Sequence, residues 1–204
     1  MSKLCKKHNV LFVCDEIQTG FGRTGKLMCY EHEGVKPDIV TTGKALSGGI
    51  MPVSAAFANN NIMDLIKPGD HGSTFGGNPL GWAAAKVAVE AIIEEKMPEN
   101  SAKMGDILME ELHNSVKTSL ISEIRGKGLF VALEINHNSN VSGNDLAQCL
   151  YERGILAKAT HQYSFRLGPA LIINEKQIRK AAKLVKYAVN DLVLLNREKK
   201  KEAK

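Results

Sequence analysis

Val10-Leu-Phe-Val-Cys14 is a continuous apolar run that ends directly at Asp15 and Glu16. A short apolar run without polar alternation is typical of a strand buried on both faces, as in a parallel sheet covered by helices. Two further strands are expected over residues 38–42 and 53–58. The first part of the chain is therefore predicted to be α/β, with a thin sheet whose strands need neighbours on each side.

Glycine-rich loops separate these predicted strands, at Thr19–Gly25, Gly43–Gly49 and His71–Asn78. The first two have neither the P-loop frame nor the dinucleotide-binding fingerprint. The third ends at Asn78-Pro79, which is typical of a helix cap followed by a first turn, and the helix is expected to run to about Glu95. Hydroxyls and backbone amides before the amino end of a helix favour the binding of an anion. The alternative interpretation of this third loop is a plain loop capped by Asn78.

A second domain is predicted to follow the break at Met97-Pro98-Glu99-Asn100. Its pattern indicates the order α-β-β-α-β-β-α, with the last helix capped by Asn174. We therefore divide the chain into a first domain of residues 1–97, a small domain of residues 98–196 and a basic tail of residues 197–204. Termini are usually poorly ordered, so the tail is expected to be frayed and solvated. Within the small domain, helices are expected over residues 99–114 and 144–153, and strands over residues 128–135, 155–158 and 164–167.

Composition excludes several classes of protein. The 204 residues are 44% hydrophobic and 24% charged, which is typical of a globular protein. Much of the net charge of +5 lies in the tail, so the nearly neutral body argues against nucleic-acid binding. No apolar run approaches the roughly 18 residues that a membrane helix needs. The 4 cysteines form no Cys-x-x-Cys pair and predict a reducing intracellular compartment, and the scattered histidines predict no metal site.

Three charged side chains are candidates for chemistry. Asp15 follows a strand at its carboxyl end, where open α/β sheets bind ligands, and it suits either a cationic ligand group or a structural cap or ion pair. Lys44 lies just past the second strand between glycines, and it is either a nucleophilic amine in the same crevice or an ordinary exposed lysine. Arg166 lies in a short strand and suits either a bidentate carboxylate clamp or the outer face of an edge strand.

Two long motifs in order resemble the class III pyridoxal-phosphate-dependent aminotransferases. They are Phe12-Val-Cys-Asp-Glu-Ile-Gln-Thr-Gly-Phe-Gly-Arg-Thr-Gly25 and Gly43-Lys-Ala-Leu-Ser-Gly-Gly49. The resemblance implies the fold of the fold-type I pyridoxal-phosphate transferases, with part of the large domain followed by an α+β small domain. It implies a homodimer with shared active sites, in the mitochondrial matrix or the cytoplasm. Because such enzymes are about twice this long, the chain is expected to be a carboxyl half that is inactive alone, with any targeting peptide before Met1.

The resemblance also implies roles for individual residues, all with pyridoxal 5'-phosphate as the cofactor. Lys44 would link covalently to the cofactor and then move the proton in catalysis, and Asp15 would pair with the pyridine nitrogen. Gln18 would lie near the 3-hydroxyl of the ring. Thr74, with Ser73 beside it, would bind the cofactor phosphate across the subunit interface. Arg166 would hold the carboxylate of the amino-acid or 2-oxo-acid substrate.

Two segments narrow the expected substrate within the family. Ile66-Lys-Pro-Gly-Asp-His-Gly-Ser-Thr-Phe-Gly-Gly-Asn-Pro-Leu80 and Leu156-Ala-Lys-Ala-Thr-His161 resemble members that act on ornithine. They imply transfer of the terminal amine of ornithine to 2-oxoglutarate, which gives glutamate semialdehyde and glutamate. Acetylornithine and 4-aminobutyrate remain alternative substrates. A half-chain that binds a subunit without catalysis is the alternative from a different class.

Overall fold

The computed structural model describes residues 1–202 and divides the chain into two compact units. The first is Met1–Glu99 and the second begins at Asn100. The sequence-based boundary, between residues 97 and 98, falls close to this division. Within residues 1–202, no helix combines the length and the apolar character needed to cross a membrane.

The first unit is built on a three-stranded sheet in the order β1-β2-β3. The parallel pair β1 and β2 and the antiparallel pair β2 and β3 make this a mixed sheet. Short 3-10 helices occupy Cys29–Glu33 and Lys44–Ser47. The prediction of an α/β fold is confirmed, and β2 lies at the centre of the sheet. The remaining elements are α1 (Ser2–Lys7), β1 (Val13–Asp15), β2 (Ile39–Thr42), β3 (Ala55–Ala58), α2 (Asn60–Met63) and α3 (Pro79–Glu94).

The strand β1 is not buried on both faces, so that expectation is wrong. The side chain of Val13 is 50% exposed, and Val10 and Leu11 just before the strand are exposed as well. The reason is that β1 lies at the edge of a thin sheet, and among residues 1–202 no further strand pairs with its outer side. The buried core of this unit is correspondingly small, with Phe21, Leu46, Ala85 and Ile92 at its centre.

The second unit confirms the predicted order α-β-β-α-β-β-α. Its four strands form an antiparallel sheet in the order β4-β5-β7-β6. The first strand had no predicted position, and the predicted strand over residues 155–158 begins only at Lys158. The elements are α4 (Met97–Ser115), β4 (Ile121–Lys127), β5 (Phe130–Ile135), α5 (Gly143–Glu152), β6 (Lys158–Ala159), β7 (Ser164–Leu167) and α6 (Glu175–Glu202).

One continuous core holds the second unit together. On β5 the side chains of Val131, Leu133 and Ile135 are buried, whereas the alternate residues are partly exposed. The buried side chains pack with apolar residues of α4, α5 and α6 in a single cluster. The buried face of β5 and the apolar stripe of α6 therefore belong to one core, as the sequence periodicity predicts.

Two boundaries differ from the predictions. The first helix of the second unit begins at Met97 rather than at residue 99, because Pro98 fits the first turn, where it needs no backbone donor. The last helix continues through Glu202, so the predicted frayed tail is wrong for residues 197–202. Lys199 donates a 2.8 Å hydrogen bond to Asp145, which ties this end of α6 to α5. Ala203 and Lys204, the remainder of the predicted tail, lie outside the described residues.

Candidate active site

Asp15 and Lys44 lie at the same edge of the sheet of the first unit. Asp15 ends β1, and its Cα is paired with that of Thr41 on the parallel strand β2. Lys44 begins the 3-10 helix that follows β2 directly. Because the carboxyl ends of adjacent parallel strands meet at one edge, the two side chains belong to one ligand-binding position of an α/β sheet.

The loops that carry these two residues are in contact. A Cβ placed on Gly43 would lie 3.7 Å from Cγ1 of Ile17 and 3.6 Å from Cβ of Ser54. Ile17 also donates its backbone N–H to Oδ1 of Asp15 at 3.0 Å. The residue before Lys44 thus packs against the residue whose backbone orients the Asp15 carboxylate. The side chains of Asp15, Gln18 and Lys44 are all exposed. Asp15 ends β1, which is the uncovered edge strand of the sheet.

Lys44 has a left-handed backbone with φ of 45°. A side chain in this region costs roughly 1–2 kcal/mol, because the Cβ approaches the following carbonyl oxygen. Such conformations cluster at functional positions, where the surrounding structure holds them in place. Here Gly43 is extended just before Lys44, and Leu46 and Ser47 just after it are buried. The lysine is therefore held on a turn fixed from both sides, which the sequence pattern did not predict.

Glu16 is a buried acid that the sequence reasoning did not single out. Only 3% of it is exposed, and Oε1 accepts a 2.9 Å hydrogen bond from the backbone N–H of Tyr30. The Thr19 hydroxyl donates to Oε2, and the Glu16 backbone N–H donates to the Thr41 carbonyl at 2.8 Å. A Cβ on Gly20 would come within 2.8 Å of the Glu16 carbonyl oxygen. Glu16 therefore fixes the loop that carries Gln18, and the glycine after Thr19 is needed for its close packing.

A thiol and a phenol near Glu16 stay protonated. Burial raises the pKa of Cys14, and the negative charge of Glu16 and a neighbouring cysteine, Cys29, add to this. Burial likewise raises the pKa of Tyr30, with further contributions from Glu31 and Glu16. Both groups are therefore neutral near pH 7, and neither supplies a nucleophile to the site.

The loop before α3 forms the second part of the site. Asn78 caps the helix as predicted, because its Oδ1 accepts a 2.7 Å hydrogen bond from the backbone N–H of Gly81. Oγ of Ser73 accepts a 3.1 Å hydrogen bond from the N–H of Gly76. Ser73 lines a depression of about 120 Å³ at this helix end, and both Ser73 and the adjacent Thr74 are exposed.

Arg166 belongs to the second unit and lies on β7. It is half-buried, and its guanidinium carbon is 5.6 Å from the centre of the Phe130 ring. It lines a groove of about 270 Å³ together with Lys158 of the edge strand β6.

Comparison with known families identifies this combination of strands, loops and charged residues. The sequence pattern of the family "Aminotransferase class-III" matches residues 1–189. The chain belongs to the class-III aminotransferases. This confirms the family and the fold predicted from the sequence motifs, and the enzymes of this family depend on pyridoxal phosphate.

Individual class-III aminotransferases are similar over almost the whole chain. A probable mitochondrial ornithine aminotransferase of Caenorhabditis elegans is 50% identical over 196 residues, which is 96% of this chain and 46% of that protein. An acetylornithine aminotransferase structure from Elizabethkingia anophelis is 51% identical, with a TM-score of 0.87 over 93% of this chain and 50% of its own.

A structure of the ornithine aminotransferase from Toxoplasma gondii is 38% identical, with a TM-score of 0.90 over 98% of this chain and 46% of its own. PLP partly occupies the active site of that protein. The chain thus spans about half the length of the relatives it matches.

Proposed function

We propose that the whole protein is a pyridoxal-phosphate-dependent aminotransferase that moves the terminal amine of ornithine to 2-oxoglutarate. The products are glutamate semialdehyde and glutamate. One observation carries the proposal, namely that Asp15 and Lys44 lie at one carboxyl edge of the sheet on loops that are in contact. The chain supplies the carboxyl half of this enzyme, comprising the end of the large domain and the small domain, and has little activity alone.

The residues of the first unit fit pyridoxal phosphate. Gly43 presents no side chain beside Lys44, and a Cβ there would meet Ile17 and Ser54 at ordinary contact distance. The exposed hydroxyl of Thr74 stands beside the amino end of the 16-residue helix α3, where backbone donors and the helix dipole favour a phosphate. The donor set thus contains a carboxylate, an amine and an anion position, which are the three groups that this cofactor requires.

Each residue has a defined task at the reacting centre. Bound pyridoxal phosphate supplies an aromatic ring that takes up negative charge from the substrate carbon. The Asp15 carboxylate, which accepts a hydrogen bond from the backbone N–H of Ile17, would hold a proton on the pyridine nitrogen. Lys44 would hold the cofactor through its amine and would act as acid and base in moving a proton. Gln18 would donate a hydrogen bond to the hydroxyl oxygen at position 3 of the ring.

The remaining contacts bind the phosphate and the substrate. Ser73 and Thr74 would bind the cofactor phosphate, with Thr74 reaching across the interface of a homodimer. Arg166 binds the carboxylate of the amino acid or 2-oxo acid through two parallel N–H donors, with its guanidinium plane supported by Phe130. We place the protein in the mitochondrial matrix or the cytoplasm, which agrees with its free cysteines.

N-acetylornithine is the second candidate substrate. The identity of 51% to the acetylornithine aminotransferase from Elizabethkingia anophelis favours it. Parallel assays of the whole protein with ornithine and with N-acetylornithine separate the two. A higher kcat/KM for ornithine supports the first proposal, and the reverse order assigns the second.

Labelling of Lys44 tests the proposed chemistry. The whole protein is incubated with pyridoxal phosphate, reduced with borohydride and mapped by peptide mass. We expect the label on Lys44 and its loss in Lys44→Ala. Lys96→Ala is the matched control, because Lys96 is also exposed and also left-handed, with φ of 53°. Retention of the full label in Lys44→Ala would contradict the assignment.

A further inference from the structure

A polar depression of about 280 Å³ lies near the carboxyl-terminal end of α6 in the second unit. Its walls are the segment between α4 and β4, the turn after β5 and the last turns of α6. Hydroxyl and amide side chains make up most of the lining, and within residues 1–202 no acidic side chain contributes to it. We call it the α6 depression, and its polar lining residues include Thr118, Ser119, Asn136, Asn138, Asn196 and Arg197.

Asn136 holds two of the three walls together. Its backbone N–H donates to the carbonyl of Leu120 at 2.8 Å, and its Oδ1 accepts a 3.0 Å hydrogen bond from the N–H of Asn138. Its Nδ2 donates to the carbonyl of Ser119 at 3.4 Å. Among the described residues, the hydroxyl of Ser119 and the side-chain amide of Asn138 have no hydrogen-bond partner. These polar groups are therefore held in place by a fixed wall and remain free to bind a ligand.

Asn196 attaches α6 to the turn after β5 through its carbonyl oxygen. Its Oδ1 accepts a 2.8 Å hydrogen bond from the backbone N–H of Asn140. A backbone N–H can only donate, so the oxygen must face Asn140 and the amide nitrogen Nδ2 must face away from it. Within residues 1–202, the two N–H groups of Nδ2 have no acceptor. The contact therefore fixes the orientation of the amide and leaves two donors for a ligand.

Positive charge in this chain is concentrated on α6. The helix holds nine basic and four acidic residues, so its net charge of +5 equals that of the whole chain. Lys200 follows Asn196 by one turn and shares its face, since a helix has about 3.6 residues per turn. By the same geometry, Glu198 and Glu202 fall on the opposite face. The side of α6 that borders the depression is therefore basic, and the acids of this helix end lie away from it.

Arg197 has a guanidinium that no acid engages. In the part of the chain that the structure describes, it forms no ion pair with an acidic side chain. The acid of α5 that contacts this end of α6, Asp145, is engaged by Lys199 at 2.8 Å. A guanidinium presents a planar fork of N–H donors that matches the oxygens of a phosphate. Together with the amide of Asn196, it gives the depression a set of strong donors without a carboxylate.

We propose that the α6 depression binds a phosphate group, with Arg197 and Nδ2 of Asn196 as its main donors. A phosphate offers at least three acceptor oxygens, so it can use the guanidinium, amide and hydroxyl donors together. The ligand is inorganic phosphate or a small phosphate ester, whose hydroxyl groups fit beside Ser119 and Asn138. The family pattern matches residues 1–189, so Asn196 and Arg197 lie outside it. The binding depends only on residues of the second unit and is independent of the proposed transamination.

A titration of the folded chain followed by NMR tests the proposal. The 15N-labelled chain is titrated at constant ionic strength with inorganic phosphate, with glycerol phosphate and with acetate. We expect both phosphates to shift the backbone amides of Asn138, Asn140 and the last turns of α6, and acetate to leave them in place. Tighter binding of glycerol phosphate assigns the depression to phosphate esters, whereas equal or weaker binding of the ester assigns it to free phosphate. Either result supports the proposal.

Asn196→Asp is the main variant, because it removes the donors but keeps the contact with the turn. A carboxylate still accepts from the N–H of Asn140, so the Tm should be retained. Phosphate affinity should fall at least about tenfold, since two donors are replaced by a charged oxygen. Asn190→Asp is the matched control, because it makes the same change at an exposed asparagine of α6 outside the depression. Screening by salt should keep its effect below about twofold.

Arg197→Gln gives a second measurement at an exposed position. Phosphate affinity should fall about two- to fivefold, as expected for one exposed charged contact. Lys180→Gln is its control, because Lys180 is an exposed lysine of α6 outside the depression, and it should leave the affinity unchanged.

Four results would each overturn the inference. They are equal losses in Asn196→Asp and Asn190→Asp, an unchanged affinity in Arg197→Gln, equal binding of acetate and phosphate, and phosphate shifts confined to the loop before α3. Failure of Lys44 labelling with intact phosphate binding at the α6 depression would overturn the proposed aminotransferase chemistry alone.

Discussion

Gly105 on α4 lies directly against the backbone of Gly128 in the turn between β4 and β5. A Cβ added to Gly105 would lie 2.2 Å from the carbonyl oxygen of Gly128 and 2.5 Å from its Cα. These neighbours are backbone atoms and cannot move aside as a flexible side chain would. The hydrogen bond from the N–H of Leu129 to Oγ of the buried Ser101 fixes the same turn on the same helix. The helix and the turn therefore pack at a distance that only glycine allows.

Gly105→Ala should destabilise the chain, although alanine is the better helix former. Alanine gains about 1 kcal/mol of helix propensity over glycine. The clash with Gly128 costs more, since overpacking of a tight core costs about 1–3 kcal/mol. Urea unfolding measures the difference. Gly168→Ala is the control, because a Cβ there meets nothing within 4 Å. A variant at Gly105 as stable as the parent would show that the turn can shift freely.

Two serines of α4 should respond in opposite directions to replacement by alanine. Oγ of Ser101 accepts a 3.1 Å hydrogen bond from the N–H of Leu129, so Ser101→Ala removes a buried hydrogen bond and should cost about 1–3 kcal/mol. Oγ of Ser115 is buried and has no hydrogen-bond partner among residues 1–202. Ser115→Ala should therefore be neutral or stabilising. Thermal unfolding of the two variants side by side tests this, and a similar loss in both would refute it.

Local signals in the sequence predicted local structure well. The caps Asn78 and Asn174 are examples, since Asn78 accepts a hydrogen bond from the N–H of Gly81 and Asn174 accepts one from the N–H of Gln177 at 2.9 Å. Side chain and backbone lie within three residues in both cases, so the sequence contains everything that decides the contact. The carboxyl edge that carries Asp15 and Lys44 also followed from strand order alone.

Features that depend on distant partners were not predictable. Val13 is exposed because β1 lies at the edge of the sheet. The apolar run by itself does not reveal whether a strand is central or at an edge. Glu16 is buried and accepts a hydrogen bond from the backbone of Tyr30, which lies 14 residues further along the chain. The left-handed backbone of Lys44 depends on packing on both sides of one turn. The roles of the site residues in binding and catalysis remain predictions.

Acid should weaken the contact between α5 and the end of α6. Burial by itself raises the pKa of Asp145, but hydrogen bonds from Lys199 and Ser142 outweigh it and hold the pKa below its usual value. A lowered folded-state pKa stabilises the fold above the unfolded-state pKa of about 3.9 and loses this effect as the pH falls through the folded-state value.

The Tm of the parent should therefore fall more steeply below about pH 4 than that of Asp145→Asn. Asp106→Asn is the control, because Asp106 is an exposed aspartate of α4. It should keep the parental pH dependence. If the Tm of the parent and the Tm of Asp145→Asn fell equally with pH, Asp145 would not be a source of acid sensitivity.

Glycine should relieve the strained backbone at Lys44. With φ of 45° at Lys44 and 53° at Lys96, each lysine has a conformation that glycine adopts without a Cβ clash. Relative to the alanine variants, Lys44→Gly and Lys96→Gly should each gain about 1 kcal/mol in the free energy of unfolding. Under the proposed function, only the change at Lys44 abolishes transamination by the whole protein. Equal stability of the glycine and alanine variants would show that neither turn is strained.

Hydrogen exchange should separate the two units of this chain. The first has a small buried core around Phe21 and Leu46, and its strand β1 exposes Val13. The second has an extensive core in which Leu133 on β5 and Phe165 on β7 are fully buried. Local opening is easier where few apolar contacts are lost, so amides of β1 and β2 should exchange at least about tenfold faster than those of β5 and β7, a difference of about 1.4 kcal/mol. Mass spectrometry of exchanged peptides measures this directly, and uniform protection across both sheets would mean that the chain opens as one cooperative unit.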